Sequence, residues 1–309
     1  MTGLAYFGGQ IVPLAEATVS IMCSTLHYGT GCFGGLRAYW NENHQQLYAF
    51  RLLDHYQRFL DSAKLLMFRF DYTPEQLRDI TLELLSREGW RQNVYIRPLA
   101  YKDDGILRLW LHDGTDKLAI FAQPYDKYIA ADAGAKVCVS SWRRVDDTAI
   151  PARGKTNGAY VNSALIKTEA MLNGFDDAIV LNQDGHVSEG SVANFMMVRH
   201  GVVITPPVTA NILEGITRRS LITLIREELG VEVIEREIDR TELYLADEAF
   251  LCGTGVQIAA IGSIDHRIIG QGGTGPITHR LRELFYRVLR GEEAKYVDWL
   301  SPVPVLERP

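Results

Sequence analysis

Apolar residues change their period repeatedly along this chain, and the changes follow no regular strand–helix–strand rhythm. Residues 1–50 read as strands. AYFGGQIV predicts a hairpin turning at Gly8-Gly9, and LRAYW and QLYAF flank a polar NENHQ loop. RLLDHYQRFLDSAKLLM then takes up helical spacing, with Leu52, Tyr56, Phe59, Leu60, Ala63 and Leu66 on one stripe. A second helix follows in TPEQLRDITLELLSREG, with Thr73 as N-cap and Pro74 in the first helical position. NVYIRPLAY and KLAIFAQ read as strands. After an aperiodic, small-residue stretch at PYDKYIAADAGA, the mixture resumes. KVCVSSW, DDAIVLN, ANFMMVR, GVVITPP, VEVIEREI and EAFLCG are strand-like; GAYVNSALIKTEAMLNG, TRRSLITLIREELG and GPITHRLRELFYRVLRG are helical. A doubly wound parallel sheet requires strict alternation, so this order predicts two α+β domains. We place them at 1–124 and 136–309, with a linker at 125–135.

Bulk properties exclude several classes. At 309 residues a chain buries roughly three quarters of its unfolded surface, so a large core needs no staples. The net charge of −6, with acids and bases interleaved, argues against a general affinity for nucleic acid. Cys23, Cys32, Cys138 and Cys252 form no CxxC pair, and no metal-ligand spacing is evident, so reduced thiols in a cytoplasmic protein are expected. No run of 18 apolar residues predicts a membrane span, and the first residues do not read as a secretory signal.

Individual signals for chemistry are weak. Gly215, Ile216 and Thr217 open a helix, where free N–H groups and the helix dipole favour an anion, but many helices start this way. CGTGVQ brings a second threonine between glycines, which suits either close approach to a ligand or a tight turn. Neither a GxxxxGK[ST] nor a GxGxxG in the right setting occurs, so nucleotide readings are poor. Lys155 lies in PARGKTNGAY. Such a lysine is usually solvated; a functional one would be desolvated and able to form a Schiff base. Glu189 alone reads as a surface acid. Arg58 falls roughly 120° from the apolar stripe of its helix, which makes it solvated by periodicity.

Order and spacing together are more specific. EGSVANF, then VIT, then LEGITR, with VYIRPL, HYQRFLDSAK, NGFDDAIVLN and TELYLADEAFLCGTG, resemble the class IV pyridoxal-phosphate aminotransferases and, within them, the branched-chain amino-acid aminotransferases. The resemblance runs nearly end to end, and Glu189 and Asn194 match the family's E-x-x-x-x-N. It implies a small N-terminal α/β domain and a larger C-terminal mixed-sheet, pseudo-barrel domain with pyridoxal 5'-phosphate between them. It also implies a homodimer or higher homo-oligomer acting on small amino acids and 2-oxo acids.

The resemblance further implies roles. Lys155 would hold the cofactor and then carry the proton between the substrate α-carbon and the cofactor. Glu189 would face the pyridine nitrogen, and Tyr160 the ring's 3-oxygen. A helix terminus contributes only about 0.3–1 kcal/mol to an exposed charge, too little for a phosphate by itself. Arg58 would supply the missing cation, which overrules the periodicity reading. Gly215, Ile216, Thr217 and Thr254 would complete the phosphate site. Tyr28, Phe33, Gly35, Tyr95, Tyr125 and Tyr128 would wall an apolar pocket suited to Leu, Ile and Val. Arg97 would meet the second carboxylate of glutamate or 2-oxoglutarate, and the backbone of Thr254 and Gly255 the α-carboxylate. The small residues Ala152, Gly154 and Gly158 would let a flat ring approach the backbone.

Three departures bear on specificity. Gly34 stands where the family usually has an acid, and Met196 where an aromatic is common. KDDGILRLWLHDGTDKL (102–118) is an atypical loop that would bring Arg108 and Trp110 to the pocket mouth. They open an alternative, a D-amino-acid or (R)-amine aminotransferase of the same fold. An aminodeoxychorismate-type lyase is a more distant one.

Overall fold

The structure is a computed structural model and describes residues 3–125 and 134–305. The chain forms two compact units. Residues up to 125, with 154–158 and 287–305, make the first; 134–153 and 159–286 make the second. The expected linker lies almost wholly outside the described residues. The grouping also differs from a single break, because a five-residue loop and the C-terminal segment join the first unit.

In chain order the elements are β1 (Leu4–Phe7), β2 (Gln10–Pro13), α1 (Ser24–Tyr28), β3 (Cys32–Phe33), β4 (Leu36–Asn41), β5 (Gln46–Phe50), α2 (Leu52–Leu65), α3 (Pro74–Glu88), β6 (Val94–Lys102) and β7 (Asp116–Pro124). There follow β8 (Ala135–Arg143), α4 (Tyr160–Leu172), β9 (Asp177–Leu181), β10 (Val187–Gly190), β11 (Asn194–Arg199), β12 (Val202–Thr205), α5 (Ile216–Glu227) and β13 (Val233–Glu235). The last are β14 (Glu248–Gly253), β15 (Gln257–Ile264), β16 (Arg267–Ile268), α6 (Pro276–Leu289) and β17 (Leu300–Pro302). Both units are α+β, as the mixed pattern predicted.

Among the described residues of the first unit, seven strands run β17-β5-β4-β6-β7-β1-β2, with β3 pairing β6 beside β4. Every pairing is antiparallel. The hairpin of β1 and β2 turns at Gly8 and Gly9, both at positive φ (59° and 87°), which a two-residue turn requires and glycine adopts freely. Leu52, Tyr56, Phe59 and Ala63 of α2 and Leu77, Leu84 and Leu85 of α3 are buried in one core with Leu36, Val94 and Ile96 of the sheet. α3 starts with a full capping box: Thr73 Oγ1 accepts from the Gln76 N–H, and Gln76 Oε1 accepts from the Thr73 N–H.

Pro98 sits inside β6, where a missing N–H normally weakens a ladder. It falls where the neighbour of β6 changes from β4 to β3, opposite Gly34. Gly34 still donates to the Pro98 carbonyl (2.9 Å). A Cβ on Gly34 would lie 2.5 Å from Pro98 Cγ and 2.8 Å from Leu36 Cδ1, so the ring of Pro98 takes the space of a side chain at 34.

The sheet of the second unit is mixed. Its order is β10-β9-β8-β15-β14-β11-β12-β13, with β16 pairing β15. β8 runs parallel to β9 and β15, and β12 to β13. All five residues of β9 are buried, as expected for a strand covered on both faces. β15 was not expected: the isoleucines of its QIAAIGSI are spaced by three and separated by Ala, Gly and Ser, without the alternation of a strand, yet it lies between β14 and β8.

Candidate active site

Each unit carries its own set of candidate residues. In the first unit, Lys155 is fixed through its backbone on two sides. Its carbonyl accepts from the Phe33 N–H (3.0 Å), and its N–H donates to Ser62 Oγ (3.1 Å). Thr156 bridges Cys32, and the N–H groups of Asn157 and Gly158 donate to the carbonyls of Gly31 (2.8 Å) and Gly29 (3.0 Å). The loop is therefore laid down like a strand beside residues 29–33. A Cβ on Gly29, which has φ 66°, would lie 2.9 Å from Gly158 Cα. Gly29 therefore leaves room for the backbone of Gly158, while a Cβ on Gly158 itself would meet the Gly29 carbonyl oxygen only at 3.4 Å. The Lys155 side chain is half-buried, with Nζ 5.0 Å from the Phe33 ring centroid.

Ser62, fully buried in α2, donates back to the carbonyl of Arg58 (2.8 Å). One hydroxyl thus links the turn of Arg58 to the backbone of Lys155. Arg58 is half-buried, intermediate between its two sequence readings. Sequence reasoning missed Ser62; the available signal was a weak helix former one turn after Arg58 and inside a long helix.

Arg97 and Tyr95 alternate with buried residues on β6. The Arg97 guanidinium lies over the Phe33 ring (4.3 Å to the centroid) and beside Tyr95, donating to Tyr95 Oη (2.9 Å). Its Nε is buried without a hydrogen-bond partner. A Cβ at Gly35 would lie 2.5 Å from Tyr95 Oη, so this glycine admits the tyrosine. The Tyr125 ring is 5.6 Å from that of Tyr95, and its carbonyl accepts from Arg37 Nη2 (3.1 Å). Phe33, Gly35, Tyr95, Arg97 and Tyr125 are therefore brought together, with buried Arg37 as a member that sequence reasoning missed. Tyr28 ends α1 at 42% exposure. Tyr128 lies outside the described residues. Arg108 turns back onto its own loop, 2.7 Å from Asp113 and 3.9 Å from Asp104. Trp110 is exposed, and Met196 is fully buried in β11.

In the second unit Glu189 is 4% exposed, which corrects its reading as a surface acid. It lies in β10, where Oε1 is 2.8 Å from Arg144 Nη2. Oε2 accepts from Asn194 Nδ2 (2.8 Å) and from the Leu213 N–H (3.2 Å). The same Asn194 amide donates to the Leu213 carbonyl (2.9 Å). Leu213 leads into Gly215, the N-cap of α5, and a Cβ at Gly215 would overlap Asn194 Oδ1. Ile216 and Thr217 are buried, and this helix start has neither a side-chain cap nor an acid in its first turn. Thr254 and Gly255 form a short hairpin loop between β14 and β15, closed by the Gly253–Gln257 pair. Tyr160 opens α4, half-buried.

One group in metal-ligand proximity did emerge: Asp184, His186 and Glu237 bring ligand atoms within 4.8 Å. His186 already pairs there with Asp184 (3.1 Å), Glu237 (3.7 Å) and Asp239 (3.5 Å), and its hydrogen bond to Asp184 raises its pKa. Among the described residues no helix is long and apolar enough to cross a membrane.

In the second unit a buried carboxylate beside a guanidinium and a helix start without a cap are chemically suited to a polar, anionic ligand; in the first unit a lysine is fixed by its backbone. The family model for class IV amino-transferases matches residues 31–264, and the chain belongs to that family. A probable branched-chain-amino-acid aminotransferase of Aquifex aeolicus is 48% identical over 299 residues, 97% of this chain and 96% of its own. Among solved structures, the branched-chain aminotransferase of Thermoproteus uzoniensis with norvaline superposes with a TM-score of 0.94 at 41% identity, covering 98% of this chain and 100% of that one. The branched-chain amino acid aminotransferase of Thermobaculum terrenum in its PLP-bound holo form gives 0.93 at 39% identity, covering 98% and 99%.

Proposed function

We propose that this protein is a pyridoxal-phosphate-dependent transaminase. It moves the amino group between branched-chain L-amino acids (leucine, isoleucine, valine) and 2-oxoglutarate in two alternating half-reactions. The observation that carries the reading is buried Glu189 with its three donors. Donors on both oxygens, the Arg144 guanidinium among them, favour the ionised carboxylate, and an ionised carboxylate would keep a pyridine nitrogen beside it protonated.

The residues present fit the cofactor. The start of α5 offers free N–H groups and a buried hydroxyl residue with no competing acid, which suits a phosphate. The buried, unpartnered Thr156 Oγ1 beside Lys155 is a further polar atom for a ligand. Arg58, Gly215, Ile216, Thr217 and Thr254 would hold the phosphate, Glu189 the ring nitrogen, Tyr160 the 3-oxygen and Lys155 the reactive carbon. When bound, pyridoxal phosphate supplies a carbonyl that condenses with amines and a ring that accepts the electron pair released at the substrate α-carbon.

The chain's own residues supply the rest. Lys155 Nζ would carry the proton between the substrate α-carbon and the cofactor's reactive carbon, while its fixed backbone limits where the amine can swing. Phe33, Tyr95 and Tyr125 give an apolar wall, where each buried methylene of a substrate contributes about 0.8 kcal/mol. Arg97, with Nε unpaired, binds the side-chain carboxylate of glutamate and 2-oxoglutarate. The whole-length likeness to branched-chain enzymes favours this substrate class over D-amino acids or (R)-amines.

Borohydride reduction of the cofactor-loaded protein followed by peptide mapping tests the proposal. A phosphopyridoxyl adduct on Lys155 is expected, absent in Lys155→Ala, with faster turnover of L-leucine than of D-alanine or (R)-1-phenylethylamine. An adduct elsewhere, or preference for a D-donor, overturns it.

We also propose a homodimer or larger homo-oligomer in the cytoplasm. α1 and the segment before it lie against residues 102–108, through Ser24 Oγ to the Ile106 carbonyl (3.1 Å) and Cys23 Sγ to the Lys102 carbonyl (3.3 Å). Together they expose Ile21 (81%), Leu26 (66%), Leu109 (70%) and Trp110 (53%), a cluster that supports contact with a second copy. Four free thiols support a reducing compartment.

A further inference from the structure

Arg144 has no part in the reading above, yet its guanidinium is mostly buried and meets the mostly buried carboxylate of Glu189 at 2.8 Å. It is anchored in turn, since its Nε donates to the Asn211 carbonyl (3.0 Å). Asn211, at φ 55°, is tied by its amide to Asn182 Oδ1 (3.1 Å) and Asp146 Oδ1 (3.3 Å). The guanidinium therefore approaches Glu189 from a fixed base.

Arg144, Asn194 and the Leu213 N–H are not equivalent as partners of Glu189. Asn194 and the Leu213 N–H are neutral and orient the carboxylate. Arg144 supplies charge. Arg218, whose charge like that of Glu189 reaches Cys252, is committed to Glu235 (2.7 Å) and to the Pro206 carbonyl (2.9 Å). Cys252 on β14 also senses Glu189; burial is the main cause that pushes its thiol to about 12, and the carboxylate's charge adds to it.

We propose that Arg144 is a positioning residue that holds Glu189 as an ionised, singly oriented carboxylate and so decides where the proton lies between Glu189 and the cofactor's ring nitrogen. The proposal rests on the reading that Glu189 meets that nitrogen. A carboxylate and a pyridine can share one proton as an ion pair or as a neutral pair. A cation beside the carboxylate favours the ion pair, because it acts more strongly on the nearer group. Without Arg144 the proton shifts toward Glu189, and the ring draws electrons less strongly.

The test uses pyridoxal phosphate labelled with ¹⁵N in the ring, loaded into wild type, Arg144→Gln, Arg144→Lys and Glu189→Gln. The ring-nitrogen resonance and the cofactor dissociation constant are measured. Arg144→Gln and Glu189→Gln should both move the resonance toward that of an unprotonated pyridine, and Arg144→Lys should restore it. Cofactor affinity should fall about 10–100-fold in Arg144→Gln, the range found when partners behind a first ligand are removed. A wild-type resonance in Arg144→Gln alongside a shifted one in Glu189→Gln overturns the role of Arg144 and leaves that of Glu189. An unshifted resonance in Glu189→Gln overturns both. If Arg144→Gln does not fold, Arg144→Lys decides: the retained cation must keep the wild-type resonance, and a shifted one overturns the proposal.

Discussion

Ser62 Oγ is a single atom with two duties. It donates to the Arg58 carbonyl and accepts from the Lys155 N–H, so it ties a helix turn to the loop of the proposed catalytic lysine. Ser62→Ala leaves a buried N–H without its partner, at a cost of about 1–3 kcal/mol. Urea unfolding of the cofactor-free protein should show that loss; an unchanged midpoint would mean that water replaces the hydroxyl. At this scale sequence reasoning erred where charge complements are distant in the chain. Glu189 looked like a surface acid because Arg144 and Leu213, which make its burial tolerable, precede and follow it by many residues. The resemblance assigned roles to Lys155 and Arg58; periodicity, which measures the core face alone, made Arg58 solvated, and the structure has it half-buried.

The 3₁₀ segment Arg240–Leu245 shows how one element is held by charge. Arg236 bonds both oxygens of Glu242 (2.6 and 2.9 Å), and Arg199 adds a third contact at 2.7 Å. Arg236 foremost, with Arg199, holds the Glu242 carboxyl below its ordinary range against the opposing effect of burial. The folded pKa is thus below the unfolded one. The stabilisation is present at neutral pH and is lost as pH falls through the folded value, below the ordinary carboxylate range. Glu242→Gln should cost about 1–2 kcal/mol at neutral pH, and the gap from wild type should close in acid. A gap that persists in acid, once the carboxyl is protonated, would show that packing, not charge, sets the cost. Element existence was well legible where local signals were strong: the apolar period of α2, the period and cap of α3, and the glycine turn of the first hairpin. It failed for β15, whose isoleucines do not alternate with polar residues and which is held by pairing on both sides.

For the whole molecule, burial decides the behaviour of the thiols. Cys23, Cys32, Cys138 and Cys252 are all buried and free. Burial pushes Cys32 and Cys252 to about 12 and Cys138 to about 11. The native protein should therefore resist Ellman's reagent at mildly alkaline pH and release four equivalents on unfolding; rapid labelling of the native state would contradict that burial. The proposed self-association belongs to the same scale. Leu109→Asp with Ile21→Asp should shift the sedimentation coefficient toward a monomer, and an unchanged value would place the contact on another face.

The order of periodicities determined the α+β class, because strands and helices must each bury one face and only some orders allow a parallel sheet. Motif spacing carried the family likeness, because backbone turns and a Schiff-base lysine need particular residues at fixed separations. Only the tertiary structure decided that residues 154–158 and 287–305 join the first unit, and that Gly34 is small because Pro98 stands opposite. It alone also decided that Glu189 is buried beside Arg144. Those outcomes depend on which distant groups fill a given space or neutralise a given charge, and local sequence contains neither.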